Sequence, residues 1–196
     1  MKALATPAMT QPLDGMEAVT QAIQAARSGD LAAFEILMRR HERLVLATAL
    51  RLLGKMEDAQ DASQEVFLRL YRNLGKVQDS GNLAGWLYRV TVNVCRDLCG
   101  RRPAETSVEA VEELASPGAD PQQAATRHER QRALELSLRQ LSAKQRTALV
   151  LRDLEGLSTA DVAEILGTSQ ATVRAQVFQA RIKIKCFVER YFRRGV

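Results

Sequence analysis

The chain has 196 residues, a formal charge of +5 and a pI near 9.4, with 46% hydrophobic and only 5% aromatic residues. That length holds one large domain or two small ones, and the basic balance fits a polyanionic partner without proving one. The longest nearly apolar run, Leu44 to Leu50, is far too short to cross a bilayer, so membrane insertion is not expected.

Residues 1–15 lack a basic start followed by an apolar block, so they read as a disordered tail and not as a secretion signal; Met16 is an alternative start. Pro7 and Pro12 fall in this tail, and Pro103, Pro117 and Pro121 fall together further on. The stretches 13–102 and 122–196 hold no proline, which suggests two helical blocks, 16–102 and 128–196, joined by a linker over 103–127. Charge divides the chain in the same way. Residues 16–102 carry 13 basic and 10 acidic side chains, residues 127–196 carry 14 and seven, and residues 103–126 carry five acids and no base. The linker is therefore acidic, poor in large apolar groups and expected to be flexible. The abundance of Ala, Leu, Arg, Glu and Gln makes the fold class all-α.

In the front block Leu31, Phe34, Leu37 or Met38, His41, Leu44 and Val45 trace an amphipathic helix, which Ala47 to Leu53 extends as far as Gly54. On the helix that follows, Glu57, Asp58, Asp61, Gln64 and Glu65 fall along one face, with Ala62, Val66, Phe67 and Leu70 on another. By charge alone that acidic stripe is a solvated face or a docking face for a basic protein. Gly75 to Asn82 is a loop by composition. The helix from Leu83 to Arg102 carries Trp86 with Arg89, Arg96, Arg101 and Arg102, a mixture able to hold unstacked bases, although the Trp86 ring alone reads more readily as a core anchor.

In the rear block Leu134, Leu138 and Leu141 recur at helical spacing and end at Ser142-Ala-Lys-Gln145, a sequence of capping-box form. Ala148, Leu149 and Leu151 mark a second helix, closed by Glu155-Gly156, and Ser158 is placed to cap a third over Thr159 to Leu166. Ala163, Gly167 and Val173 then stand at relative positions 5, 9 and 15 of a helix-turn-helix, where a small contact, a left-handed turn and an apolar closure are needed. Ser169 is placed to cap the second helix, and Val173, Val177, Ala180 and Ile184 form its inward stripe. Beside that stripe lie Arg174, Phe178, Arg181 and Lys185, with no acid between Glu164 and Glu189. This bare positive face suits DNA phosphates and base edges, with Thr168, Ser169 and Gln170 at the end that enters the major groove; a solvated basic face is the bland alternative.

Cys95 and Cys99 share a helix face but lack nearby histidines, so they read as packed thiols, as does Cys186. An odd cysteine count without an export signal suggests reduced thiols in a cytoplasmic setting. No Gly-rich phosphate loop, Ser-His-Asp set or HExxH sequence is present, so no catalytic residue, metal or cofactor is expected and the chain is not read as an enzyme.

Asp58-Ala-Gln-Asp-Ala-Ser-Gln-Glu-Val-Phe67, Trp86-Leu87, Asn93, Asp97, Arg101-Arg102 and the final helix-turn-helix occur in an order that resembles an extracytoplasmic-function (ECF) sigma factor of the sigma-70 family. The resemblance covers roughly residues 25 to 190 and implies a promoter-specificity subunit of RNA polymerase. It implies that Asp58, Asp61, Gln64 and Glu65 grip the clamp helices of the largest polymerase subunit. The loop Gly75–Asn82 takes up a base flipped out of the −10 element. Ser80, Asn82, Trp86, Arg89, Asn93, Arg96, Arg101 and Arg102 are then the −10 contacts. Thr168, Ser169, Gln170, Arg174, Gln176, Phe178, Gln179 and Arg181 are the −35 contacts. An anti-sigma factor is a further implied partner. Ala175, Gln176 and Gln179 depart from the Ser, Arg and Arg that relatives often carry, and Leu83 replaces a commonly aromatic position. A conventional helix-turn-helix regulator, binding operators without polymerase, and a DNA-processing enzyme are the other readings.

Overall fold

Asp30 opens the long helix of the front block. Its carboxylate accepts from the backbone N–H groups of Ala32 and Ala33 at 2.9 and 3.2 Å, two of the donors that a helix start leaves unpaired. The computed structural model describes residues 13–77, 83–101 and 121–193, and every regular element among them is helical. The front block contains α1 (Leu13–Arg27), α2 (Leu31–Leu53), α3 (Met56–Asn73), a 3₁₀ turn (Leu74–Lys76) and α4 (Leu83–Arg101). The rear block contains α5 (Pro121–Arg139), α6 (Ala143–Leu149), a π-helical turn (Val150–Leu154), α7 (Thr159–Leu166) and α8 (Gln170–Arg193).

The front core is built where α1 to α4 turn their apolar faces together. Ile23 of α1, Leu37 and Val45 of α2, Val66 and Leu70 of α3 and Leu87 of α4 are all buried there. Each side chain of this size contributes about 1.5–3 kcal/mol through removal from water. Gly54 ends α2 in the left-handed region (φ 79°), and its N–H reaches back to the Leu50 carbonyl at 2.8 Å. The rear core collects Leu138, Leu141, Leu149, Leu151, Val162, Val173 and Val177.

Two helices begin earlier than composition suggested. α1 starts at Leu13, inside the stretch read as a tail, because Val19, Ile23 and Ala26 present a buried face at steps of four and three. α5 starts at Pro121, inside the stretch read as linker, where proline fits a first turn because no N–H is needed there. Residues 1–12 and 103–120 lie outside the described residues. Leu31 and Leu134, expected on apolar stripes, are exposed, and Ala133 takes the inward position on α5. Of the three thiols only Cys95 is packed; Cys99 and Cys186 are exposed, which corrects the reading of all three as core groups. Burial, and then the neighbouring Cys99, push the Cys95 thiol up to about 12.

Candidate nucleic-acid interface

The helix-turn-helix is assembled from local chemistry. Ser158 and Asp161 cap α7 reciprocally, each side chain taking the other's backbone N–H at 3.1 Å. Gly167 then adopts φ 61°, ψ 41°, a conformation that costs an L side chain but not glycine. The Thr168 N–H closes the turn onto the Ala163 carbonyl at 2.9 Å. The Ser169 hydroxyl accepts from the Thr172 N–H at 3.1 Å and starts α8. Val173, Val177 and Ala180 are buried under this hairpin, with Ile184 half-buried against the same core.

What remains outward is polar and basic. Thr168, Ser169, Gln170 and Arg174 are exposed at the start of α8, and the Gln170 side-chain oxygen accepts from Arg174 at 3.2 Å. At about 100° per residue, Gln170, Arg174, Phe178, Arg181 and Lys185 share an arc of about 80°. Phe178 stands 64% exposed at one edge of it. Arg181 forks onto Asp153 at 2.8 and 2.7 Å, so the π-helical turn holds one of these cations in place. Gln176 and Gln179 lie further round α8. Gln179 accepts from buried Gln145 at 3.0 Å, and Gln145 in turn takes the Lys183 ammonium at 2.9 Å.

α4 carries the second group of candidate DNA contacts. Trp86, Arg89, Asn93 and Arg96 recur at steps of three and four and so share one face. Trp86 is half-buried and packs against the front core, while Arg89 and Arg96 are exposed. The Asn93 side-chain oxygen accepts from Arg96 at 3.1 Å. Leu83, which starts the helix, is buried. Arg101 ends α4, and Ser80, Asn82 and Arg102 lie outside the described residues.

The acidic stripe lies on α3. Asp61 and Gln64 are exposed, Asp58 and Glu65 half-buried, and Ala59, Ala62, Val66 and Leu70 occupy the buried side. The stripe is not bare: Glu65 accepts from Arg69 at 2.7 Å, and Arg69 stands 3.9 Å from Asp97 of α4. Leu68 and Tyr71 add exposed apolar surface one and two turns beyond Gln64 and Glu65.

Sequence reasoning missed the contact between the blocks. Glu155, which it read only as a helix closer, leaves the π-helical turn with its carboxylate largely buried. There it takes an ion pair from Arg51 of α2 and a hydrogen bond from the Tyr88 hydroxyl of α4 at 3.1 Å. Burial, and secondarily Glu155, raise the Tyr88 phenol above its ordinary value. Arg146 donates to the Leu52 carbonyl at 2.9 Å and Arg139 to that of Gly54 at 3.2 Å. Two guanidinium groups thus meet the negative end of α2. Arg89 pairs with Glu164 of α7 at 3.1 Å. Each block also lends the other a buried side chain, Tyr88 to the rear core and Val150 to the front core. No local pattern announces these contacts, whose partners lie 67 to 104 positions apart around Glu155.

Residues 37–103 match the family described as Sigma-70 region 2, and residues 131–184 match Sigma-70, region 4. Over 171 residues the chain is 32% identical to the RNA polymerase sigma-H factor of Pseudomonas aeruginosa, covering 82% of this chain and 89% of that protein. Over 182 residues it is 30% identical to the ECF RNA polymerase sigma-E factor of Escherichia coli K12, covering 88% and 95%. Its fold is similar to CnrH, solved in complex with the cytosolic domain of CnrY, with a TM-score of 0.63, 26% identity and coverage of 88% and 97%. It is also similar in fold to the sigma factor RpoE of Bartonella quintana, solved with the anti-sigma factor NepR, with a TM-score of 0.61, 22% identity and coverage of 76% and 96%. Region 2 on the front block and region 4 on the rear helix-turn-helix define an RNA polymerase sigma factor. The chain belongs to the extracytoplasmic-function group of the sigma-70 family. An operator-binding regulator is not favoured by these likenesses. Among the described residues no helix is long and apolar enough to cross a membrane.

Proposed function

We propose that this sigma factor docks on the clamp helices of the largest polymerase subunit through Asp58, Asp61, Gln64 and Glu65 of α3. Gly75–Asn82 and the Trp86–Arg89–Asn93–Arg96 face of α4, continued by Arg101 and Arg102, meet the −10 element. The outer face of α8 meets the −35 element. Capture of an extruded base in the front block replaces lost stacking worth a few kcal/mol and so favours opening of the duplex. Bond-making belongs to the polymerase and none to this chain, which acts in the cytoplasm where the polymerase works. By analogy with the sigma factor RpoE, solved with the anti-sigma factor NepR, an anti-sigma protein is a partner.

The observation that carries this reading is the separation of charge between elements. The outward side of α3 is acidic, while the exposed arc of α8 holds Arg174, Arg181 and Lys185 and no carboxylate of its own before Glu189. A protein partner for the first and a duplex for the second account for both. The deciding experiment is transcription by purified core polymerase with and without the chain, with transcript starts mapped on genomic DNA. Initiation at a shared pair of elements upstream of the starts is expected; no stimulation refutes the reading.

Arg174 supplies a second check. Its guanidinium is exposed and, among the described residues, is held by Gln170 on its own helix, so Arg174→Ala leaves the fold intact. Affinity of the holoenzyme for the −35 duplex is expected to fall about tenfold, and the slope of log affinity against log salt to lessen by about one counterion. An unchanged salt slope removes Arg174 from the phosphate contacts.

A further inference from the structure

Gln145, in the first turn of α6, is a buried polar side chain whose two amide atoms meet three neighbours. Its oxygen accepts from the Ser142 backbone N–H at 3.3 Å and from the Lys183 ammonium at 2.9 Å. A peptide N–H and an ammonium can only donate, so they identify that atom as the oxygen. The other atom is therefore the nitrogen, a donor, and it meets Gln179 of α8 at 3.0 Å. The Gln179 atom that receives it is in turn an oxygen. Two donors of fixed sense thus settle the orientation of two amides in succession.

Gln179 is exposed, and among the described residues its own nitrogen meets no acceptor. At about 100° per residue it stands about 130° round α8 from the centre of the stripe Val173, Val177, Ala180 and Ile184. Arg174 stands about 90° from the same line, so Gln179 is the more squarely outward of the two. What it offers there is an amide with its oxygen drawn back to α6 and two N–H bonds left over. A glutamine that reads adenine presents both atoms side by side, the oxygen to N6 and the nitrogen to N7. With the oxygen engaged, that pairing is lost and donors alone remain. Guanine, whose O6 and N7 both accept, is the complement. A guanidinium in the same place would need no such setting, because all its nitrogens donate.

We infer that Gln145 is a positioning residue for −35 recognition. Being buried, it touches no base. It turns the Gln179 amide so that the N–H bonds face outward, and so selects guanine over adenine at the base pair that Gln179 meets. This rests on the proposed contact of α8 with the −35 element. Lys183 shares in the setting, because its ammonium holds the Gln145 oxygen from the α8 side.

The test measures holoenzyme affinity, by fluorescence anisotropy, for duplexes carrying a mapped −35 element and its single-base variants. Wild type is expected to prefer guanine to adenine about tenfold at one position, and Gln179→Ala to flatten that position alone. Gln145→Glu then reverses the sense of the relay. Its carboxylate still accepts from Ser142 and Lys183 and serves the cap as an amide does, but it has no N–H to give Gln179. Gln179 turns over to donate to it, and its oxygen faces outward. The preference is expected to invert, with the amino-bearing bases adenine and cytosine bound better than guanine. If Gln145→Glu does not fold, Gln145→Met decides: it frees the Gln179 amide to take either sense, and the guanine-to-adenine ratio should fall to about twofold. A substitution profile parallel to wild type in the folded variant overturns the inference, even if affinity drops throughout, because a weakened cap lowers all duplexes alike. So does a Gln179→Ala profile unchanged from wild type, or a wild-type preference for adenine at that position. A wild-type holoenzyme that selects no −35 sequence overturns the functional reading itself, and that failure shows before any variant is compared.

Discussion

Reversing Asp61 and Glu65 to lysine is expected to abolish holoenzyme assembly while leaving the chain folded. Asp61 is fully on the outer side of α3 and Glu65 half-exposed, with Ala62 and Val66 beneath them carrying the packing. The one described ion pair lost is Glu65 with Arg69, an exposed i,i+4 contact worth about 0.3–0.5 kcal/mol, so the melting temperature should barely move. At the proposed interface the change is four units of charge, set against the basic partner that this reading requires. Like charges brought together there cost several kcal/mol, which corresponds to a loss of at least about a hundredfold in affinity for core polymerase. Fluorescence anisotropy of labelled chain titrated with core reads this directly. Assembly at wild-type affinity refutes the assignment of α3 as the docking face.

The second large effect concerns the contact between the blocks. Glu155 has a side chain 9% exposed and faces Arg51, itself 39% exposed, with the Tyr88 hydroxyl on its other oxygen. Glu155→Lys places an ammonium against that guanidinium and strips Tyr88 of its acceptor. Breaking a buried pair costs about 3–5 kcal/mol, and the partial exposure of Arg51 reduces this to about 2 kcal/mol, or about thirtyfold in the ratio of closed to separated blocks. The expected readouts are a larger radius of gyration in solution scattering and faster proteolysis near Gly156, with helix content retained. Alkali should act in the same direction. The contact holds the Tyr88 proton more tightly than an open chain does, so closure is unaffected below the ordinary phenol value near 10 and weakens progressively above it. A variant as compact as wild type shows that Val150, Tyr88, Arg139 and Arg146 suffice to hold the blocks together.

Where an element is decided by neighbours in the chain, the sequence was enough. The Ser142–Gln145 box, Ser158 before α7, Gly167 in the turn and Ser169 before α8 each act within four residues of themselves. The inward stripe Val173, Val177, Ala180 follows from helical period alone. α1 was legible in principle, since Val19, Ile23 and Ala26 repeat at helical steps, but the Pro- and Met-rich residues before it masked the signal. The π-helical turn was not legible, because its extra residue per turn is set by the bond from the Glu155 N–H to the Val150 carbonyl and by packing on both cores. The bonds from Arg27 at the end of α1 to the Leu74 and Val77 carbonyls and the Arg51–Glu155–Tyr88 group were hidden for the same reason. An arginine on a surface looks alike whether water or a distant carbonyl meets it.

α4 stops at Arg101 and α5 starts at Pro121, so 20 peptide steps join the two blocks proposed to face DNA. Stretched fully they span at most about 70 Å, whereas elements centred near −10 and −35 lie about 25 base pairs, or about 85 Å, apart along a duplex. On the proposed reading such a tether works as a ruler, since it reaches from one element to the other only with the widths of the blocks added. Its graduation is set by the polypeptide itself: one residue contributes at most about 3.5 Å, the rise of a single base pair.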